Sequence, residues 1–247
     1  MLEVHILAET NAVRFINAYN EIDQTIRNIY NFRRNISFAD MIRRAVSLNS
    51  VVRRYEDKLI DYARLRNAII HNSTEERIIA EPHDDVVLDL EHIAELVASP
   101  PLVLRCIPHK DVFVLDGDTS LKKAIENVAM TGFKTIPVYE DDRLAGIIHA
   151  GRVVEILGEK IREEMNIEEF CANTHVIDVI NTEDMDKTYT IRSEKLTVQE
   201  ALDIFYNNRK MLAIIITKRG NFLERPINIL TVADLIDLNK IVDDYNI

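Results

Sequence analysis

The chain has 247 residues, 47% hydrophobic and 29% charged, with a formal net charge of −11. That length exceeds one ordinary domain and that balance supports a buried core, so two globular domains are expected. No run of 18 apolar residues is present to cross a membrane, and the acidic balance argues against whole-surface attraction to nucleic acid.

The opening MLEVHILAETNAVRF carries acids early and no basic start before an apolar block, so it does not read as a signal peptide. Leu2, Ile6, Val13, Ile16, Ile22, Ile26 and Ile29 lie mostly three, four or seven apart, the stripe of a first helix. Ser37 opens a second helix with Asp40 as a capping-box-like partner. A third is expected from about Asn49 to His71, interrupted by Asn72-Ser73, and a fourth from Asp84-Asp85 through Val97. Four helices with short connections predict an up-down bundle over 1–98. Between Arg27 and Arg54 seven arginines face one acid, Asp40. This local excess is a solvated or dimer-contact face, or a patch for phosphates of RNA or nucleotides.

Ser99-Pro100-Pro101 disfavours helix, which places a linker at 99–110. Beyond it the pattern changes to strand Asp111–Leu115, helix Leu121–Gly132, strand Thr135–Tyr139, turn Asp141-Asp142, strand Leu144–His149 and a helix from Val153. The same order returns as Thr188–Ile191, Thr197–Asn207, Leu212–Ile216, a turn at Lys218–Asn221, Ile227–Leu230 and a helix from Val232. An internal βαββα repeat is therefore expected over 111–247, with units at about 111–157 and 186–240. The fold class is α+β: a helical bundle followed by a tandem repeat. Cys106 and Cys171 have no metal-like spacing and read as free thiols in a reducing cytoplasm, and no metal site is expected.

The segments TSLKKAIENVAMTGFKTIPVYEDDRLAGIIHAGRVVEIL and LTVQEALDIFYNNRKMLAIIITKRGNFLERPINILTVADLIDL resemble the two halves of a CBS-motif pair. The resemblance implies that the motifs pack sheet to sheet, that their clefts take AMP, ADP, ATP or S-adenosylmethionine, and that modules pair into homodimers. Thr231-Val-Ala-Asp234 follows the last strand and opens a helix. Its backbone N–H groups can face a phosphate, and its carboxylate can accept from ribose hydroxyls. The same string is also a capping box, and one residue can serve both purposes. By carry-over the adenine is expected beside Thr190, Leu212 and Ile214. The matching positions of the first repeat are His149 and Arg152, and an arginine cannot accept a hydrogen bond. One competent nucleoside site is expected rather than two. His149 and Arg152 either face phosphates across the cleft or are, respectively, a satisfied strand-end histidine and an exposed first-turn arginine.

Leu65-Arg66-Asn67-Ala68-Ile69-Ile70-His71 resembles the motif of HEPN domains, helical bundles that include metal-independent ribonucleases. The resemblance implies His71 as acid or base, Arg66 stabilising phosphate charge, and Asn67 beside them. Arg66 and His71 lie about 140° apart around a regular helix and do not converge well within one straight helix; the resemblance implies a site formed where two subunits bring their motifs together, which this spacing permits. The leading expectation is a cytoplasmic nucleotide-sensing regulator. The alternatives are a nucleotide-regulated ribonuclease, and a scaffold whose helices only bind a protein partner or a second subunit.

Overall fold

The computed structural model describes residues 10–71, 80–109, 111–180 and 186–244. They divide into two units, 1–101 with 240–247, and 102–239. The expected helix residues Leu2 and Ile6 and the Asn72-Ser73 interruption lie outside the described residues.

In the helical unit α1 (Asn11–Tyr30) starts at Thr10, whose side chain accepts from the Val13 N–H, and ends at Asn31 in the left-handed conformation. Its buried face is Ala12, Phe15, Tyr19, Ile22 and Ile26. Next comes α2 (Phe38–Ala45), capped by Ser37. The expected single helix 49–71 is broken at Tyr55 into α3 (Ser50–Arg54) and α4 (Glu56–His71). Tyr55 has a non-helical backbone, φ −107° and ψ 15°. The following helix, α5 (Asp84–Ala98), packs along α1. Asn11 donates to Asp84 (2.6 Å) and Arg14 forks onto Glu91 (2.9 and 2.6 Å), so the two helices run parallel. Among the described residues, five helices with a parallel first and last pair stand where an up-down bundle of four is expected.

Three of the seven arginines of the arginine-rich segment are held by structural contacts. Arg27 holds Asp23 and the carbonyls of Arg33 and Ile36. Arg53 donates to the Val46 carbonyl at 2.9 Å. Arg54 pairs with Asp243, and the neighbouring Tyr55 hydroxyl donates to the Val242 carbonyl at 3.2 Å.

The second unit begins with α6 (Val103–Cys106) inside the expected linker. Of the expected 111–115 strand only Leu115 pairs, as the start of β1 (Leu115–Asp116); α7 (Leu121–Thr131), β2 (Thr135–Glu140), β3 (Arg143–His149) and α8 (Ala150–Arg162) follow. Asp141 and Asp142, with φ of 48° and 59°, form the two-residue turn between β2 and β3. Then come α9 (Ile167–Asn173) and α10 (Val176–Val179). The second repeat is β4 (Tyr189–Ser193), α11 (Val198–Asn207), β5 (Ala213–Thr217) and β6 (Asn228–Thr231). A 3-10 turn, Val232–Asp234, leads into α12 (Leu235–Asp244). Each sheet has its β2 or β5 strand in the centre, paired parallel to the strand before it and antiparallel to the strand after.

Between the sheets lie Tyr139, Leu144 and Ile147 from one and Tyr189, Ile191, Ala213 and Ile215 from the other. Burying side chains of this size is worth about 1.5–3 kcal/mol each. The opposite face of the first sheet is covered by α7, α8 and α9 through Leu121, Ala124, Val153 and Cys171. The two repeats also exchange their opening segments. Val103 donates to the Leu196 carbonyl and Leu102 bridges Thr197. In the same way Val176 donates to the Thr119 carbonyl, and His175 bridges Ser120. Ile180, just after α10, lies over Gly146, where an added Cβ would meet its Cδ1 at 3.0 Å.

Candidate functional site

A cleft of about 460 Å³ opens in the second unit, with walls from both repeats. Its size is that of a small-ligand pocket. The first repeat contributes Asp111, Phe133, Lys134, Thr135, Pro137 and His149. The second contributes Leu212 and Ile229, and the turn Thr231, Val232 and Ala233. These residues meet because Thr135 pairs with His149 across the first sheet, and Ala213 with Thr231 across the second. Gly132 ends α7 with φ 73°, turning the chain so that Phe133 and Lys134 enter the cleft wall.

Of the residues expected at a nucleoside site, the cleft brings together His149, Leu212 and Thr231. Asp234 stands directly behind it. One of its carboxylate oxygens accepts from the Thr231 N–H at 2.7 Å and from the Thr231 hydroxyl at 3.2 Å, and the residue is 8% exposed. The box that the sequence suggests is thus formed, with the carboxylate engaged in shaping the turn.

The other expected residues lie elsewhere. Tyr189 and Ile191 face the first sheet, so Thr190 between them faces the other way. Its hydroxyl donates to Asp186 at 2.8 Å and accepts from Arg192 at 2.6 Å. Ile214 lies between Ala213 and Ile215 and is likewise turned from the cleft, fully buried. Arg152 is exposed on the first turn of α8 and pairs with Glu155 at 3.3 Å. It borders a separate depression with Lys160 and Asp178.

His149 plays the part that Thr231 plays in the second repeat, by a different bond. Its Nδ1 accepts from the Gly151 N–H at 3.0 Å and caps α8. That bond leaves the ring proton on Nε2. Burial is the main influence lowering its pKa below the ordinary histidine value; Lys134 lowers it further and Glu155 opposes both. The imidazole is therefore neutral near pH 7.

Phe133 and Lys134, inside the first CBS-like segment, and Asp111, at the start of the expected first strand, also line the cleft. Their one signal in the sequence is position, before β1 and between α7 and β2, since nothing in their identities marks them.

In the helical unit the Arg66 guanidinium lies 5.6 Å from the Tyr19 ring centre, and its Nη1 donates to Asn67 at 3.4 Å. Arg66 Nε is buried with no hydrogen-bond partner among the described residues. Burial first, then Asp23, pushes the Tyr19 pKa up to about 12, while Arg66 and Arg27 pull it down. Asn67 is exposed, and the side chain of His71 lies outside the described residues. No cluster of three or more His, Cys, Asp or Glu able to hold a metal occurs among the described residues. Nor is any described helix long and apolar enough to cross a membrane. Burial raises the pKa values of the thiols Cys106 and Cys171, against the pull of Arg105 and Lys122 respectively.

Among solved structures, the chain is similar to CBSX2 in complex with AMP, at 14% identity and TM-score 0.43, over 60% of this chain and 99% of that one. It is also similar to the CBS domain of a bacterial CNNM/CorC family Mg2+ transporter in complex with ATP, at 15% identity and TM-score 0.43, over 60% and 92%. A third is the CBS domain of a CBS domain containing membrane protein from Sphaerobacter thermophilus, at 15% identity and TM-score 0.40, over 52% and 82%. No curated protein matches the chain. Residues 104–159 match the family model for the CBS domain.

Proposed function

We propose that residues 102–239 bind an adenosine nucleotide in the 460 Å³ cleft and that the helical unit responds to its occupancy. The observation that carries this reading is the composition of the cleft, beside the CBS match. Phe133, Pro137, Leu212 and Ile229 offer an apolar floor for a base. Lys134, the His149 Nε2–H and the polar edge at Thr231 offer contacts for a sugar phosphate. An apolar pocket with a few convergent polar groups is the usual form of a small-ligand site. The ligand acts by binding one arrangement of the unit better than another. The packing of Arg66 over Tyr19 favours an architectural role for that arginine over attack on RNA. A homodimer is part of the reading. Val154 and Ile161, seven residues apart on one face of α8, are 68% and 61% exposed, an apolar pair suited to a second copy.

Thermal unfolding with AMP, ADP, ATP and S-adenosylmethionine tests the reading. At least one should raise Tm progressively with concentration. Val232→Glu, at a 52% exposed position on the cleft wall, should abolish that rise while leaving the ligand-free Tm in place. No rise with any of the four ligands overturns the proposal.

A further inference from the structure

Resting on the adenosine reading above, we propose that α12 is the lever of the response: the turn closed by Thr231 and Asp234 at the cleft sets its start, and its far end acts on the joint between α3 and α4 at Tyr55. The helix runs across the division of the chain. Its residues 235–239 belong to the unit that holds the cleft, and 240–244 to the helical unit.

At the near end Val232 and Ala233 line the cleft. Asp234 accepts from both the N–H and the hydroxyl of Thr231, and this box holds the 3-10 turn. Leu235, with φ −58° and ψ −32°, carries the turn directly into α12. A ligand hydroxyl that donates to Asp234 competes with the Thr231 hydroxyl for the same carboxylate. Occupancy of the cleft therefore resets the turn, and with it the first residues of α12.

From Val232 to Asp244 the sequence has no glycine or proline, so no weak point absorbs the change along a helix of about 15 Å. Leu238 is fully buried and the Asn239 Oδ1 accepts from the Tyr206 hydroxyl at 2.8 Å, which fixes the near half. In the far half Val242 is buried, its carbonyl accepts from the Tyr55 hydroxyl at 3.2 Å, and Asp243 pairs with Arg54. Burial raises the Tyr55 pKa, Arg54 lowers it, and Asp243 and Asp89 raise it further, so the phenol keeps its proton as a donor. Tyr55 is also the residue at which the helical run 50–71 is broken. The end of α12 thus grips the helical unit at a non-helical residue, where a small rotation need not break a continuous helix.

Hydrogen exchange of the full chain, read by mass spectrometry, tests the lever with AMP and ATP as probes. Whichever nucleotide binds by calorimetry should change exchange at least about fivefold in both 235–244 and 50–58. The double variant Arg54→Gln, Tyr55→Phe should still bind that nucleotide and keep the response of 235–239, while losing that of 50–58. Without ligand, Asp234→Ala should alter exchange in 50–58, whereas His149→Ala, which loosens the cap of the other repeat, should not. A nucleotide that binds and leaves 50–58 unchanged, or a response there that survives the double variant, overturns the lever with the adenosine site left standing. If neither nucleotide binds, the adenosine reading falls. The ligand-free arm then decides the lever: 50–58 unmoved by Asp234→Ala, or moved equally by His149→Ala, overturns it.

Discussion

The two repeats of residues 102–239 share a skeleton and differ at the joint where the last strand enters its helix. In the second repeat a hydroxyl and a carboxylate, Thr231 and Asp234, close a capping box. In the first an imidazole, His149, takes one backbone N–H, and the fourth residue of the string, Arg152, is turned to solvent. The strand-to-strand connections differ as well. The first is a two-residue turn, Asp141-Asp142. The second, 218–227, reaches across to the first repeat: Leu144 donates to the Phe222 carbonyl and the Tyr139 hydroxyl to the Glu224 carbonyl, both at 2.8 Å. The same architecture can therefore be closed by different chemistry, and the closures decide which side chains reach the cleft.

The largest effect should come from the shared core, where the repeats depend on each other. Ile215→Ala, at a fully buried position between the sheets, should cost about 2–5 kcal/mol in denaturant unfolding. A cost below about 1 kcal/mol would mean that the sheets are not packed through this residue. The two joints should rank next. Asp234→Ala removes two bonds to Thr231 and should cost about 1–2 kcal/mol, whereas His149→Ala removes one cap bond and should cost about 0.5–1 kcal/mol. Equal costs would erase the distinction between the joints.

The smallest expected effect is in the pH profile. The folded-state pKa of His149 lies below its unfolded value near 6.5, so the unfolded chain takes up the proton first. The stability tied to a neutral His149 is complete above about 6.5 and is lost as pH falls through the lowered folded value. His149→Gln should flatten the pH dependence of the urea midpoint in that acidic window and leave its slope near pH 8 unaltered, where the ring is neutral in both states. An unaltered acid limb would show that the ring does not titrate with folding.

Features governed by neighbours in sequence are legible in the amino acids alone. The caps Ser37, Ser120 and Thr197 each need only a hydroxyl three residues before a helical N–H. The Asp141-Asp142 turn needs two residues that tolerate positive φ. The repeat shows itself because both copies keep the same order of periodicities. Features governed by distant partners are not legible in this way. Tyr55 breaks a helix whose apolar spacing runs on without interruption. The parallel course of α1 and α5 depends on pairs such as Arg14 and Glu91, 77 residues apart. Thr190 and Ile214 belong to the expected strands beside the cleft, but strand alternation turns them to the other face. Lys134 and Phe133 gain their position from the Gly132 turn, which a pattern of strands and helices passes over.

The exchange of opening segments bears on how such a chain can be divided. Residues 102–103 complete the edge of the repeat that comes later, and 175–176 the edge of the one that came earlier. A cut made between the repeats in sequence is therefore not a cut between them in space. Each half so obtained would carry away a piece of its neighbour and lack one of its own. The pair is, in effect, two interlocked copies joined end to end, and its smallest inheritable piece is both repeats together.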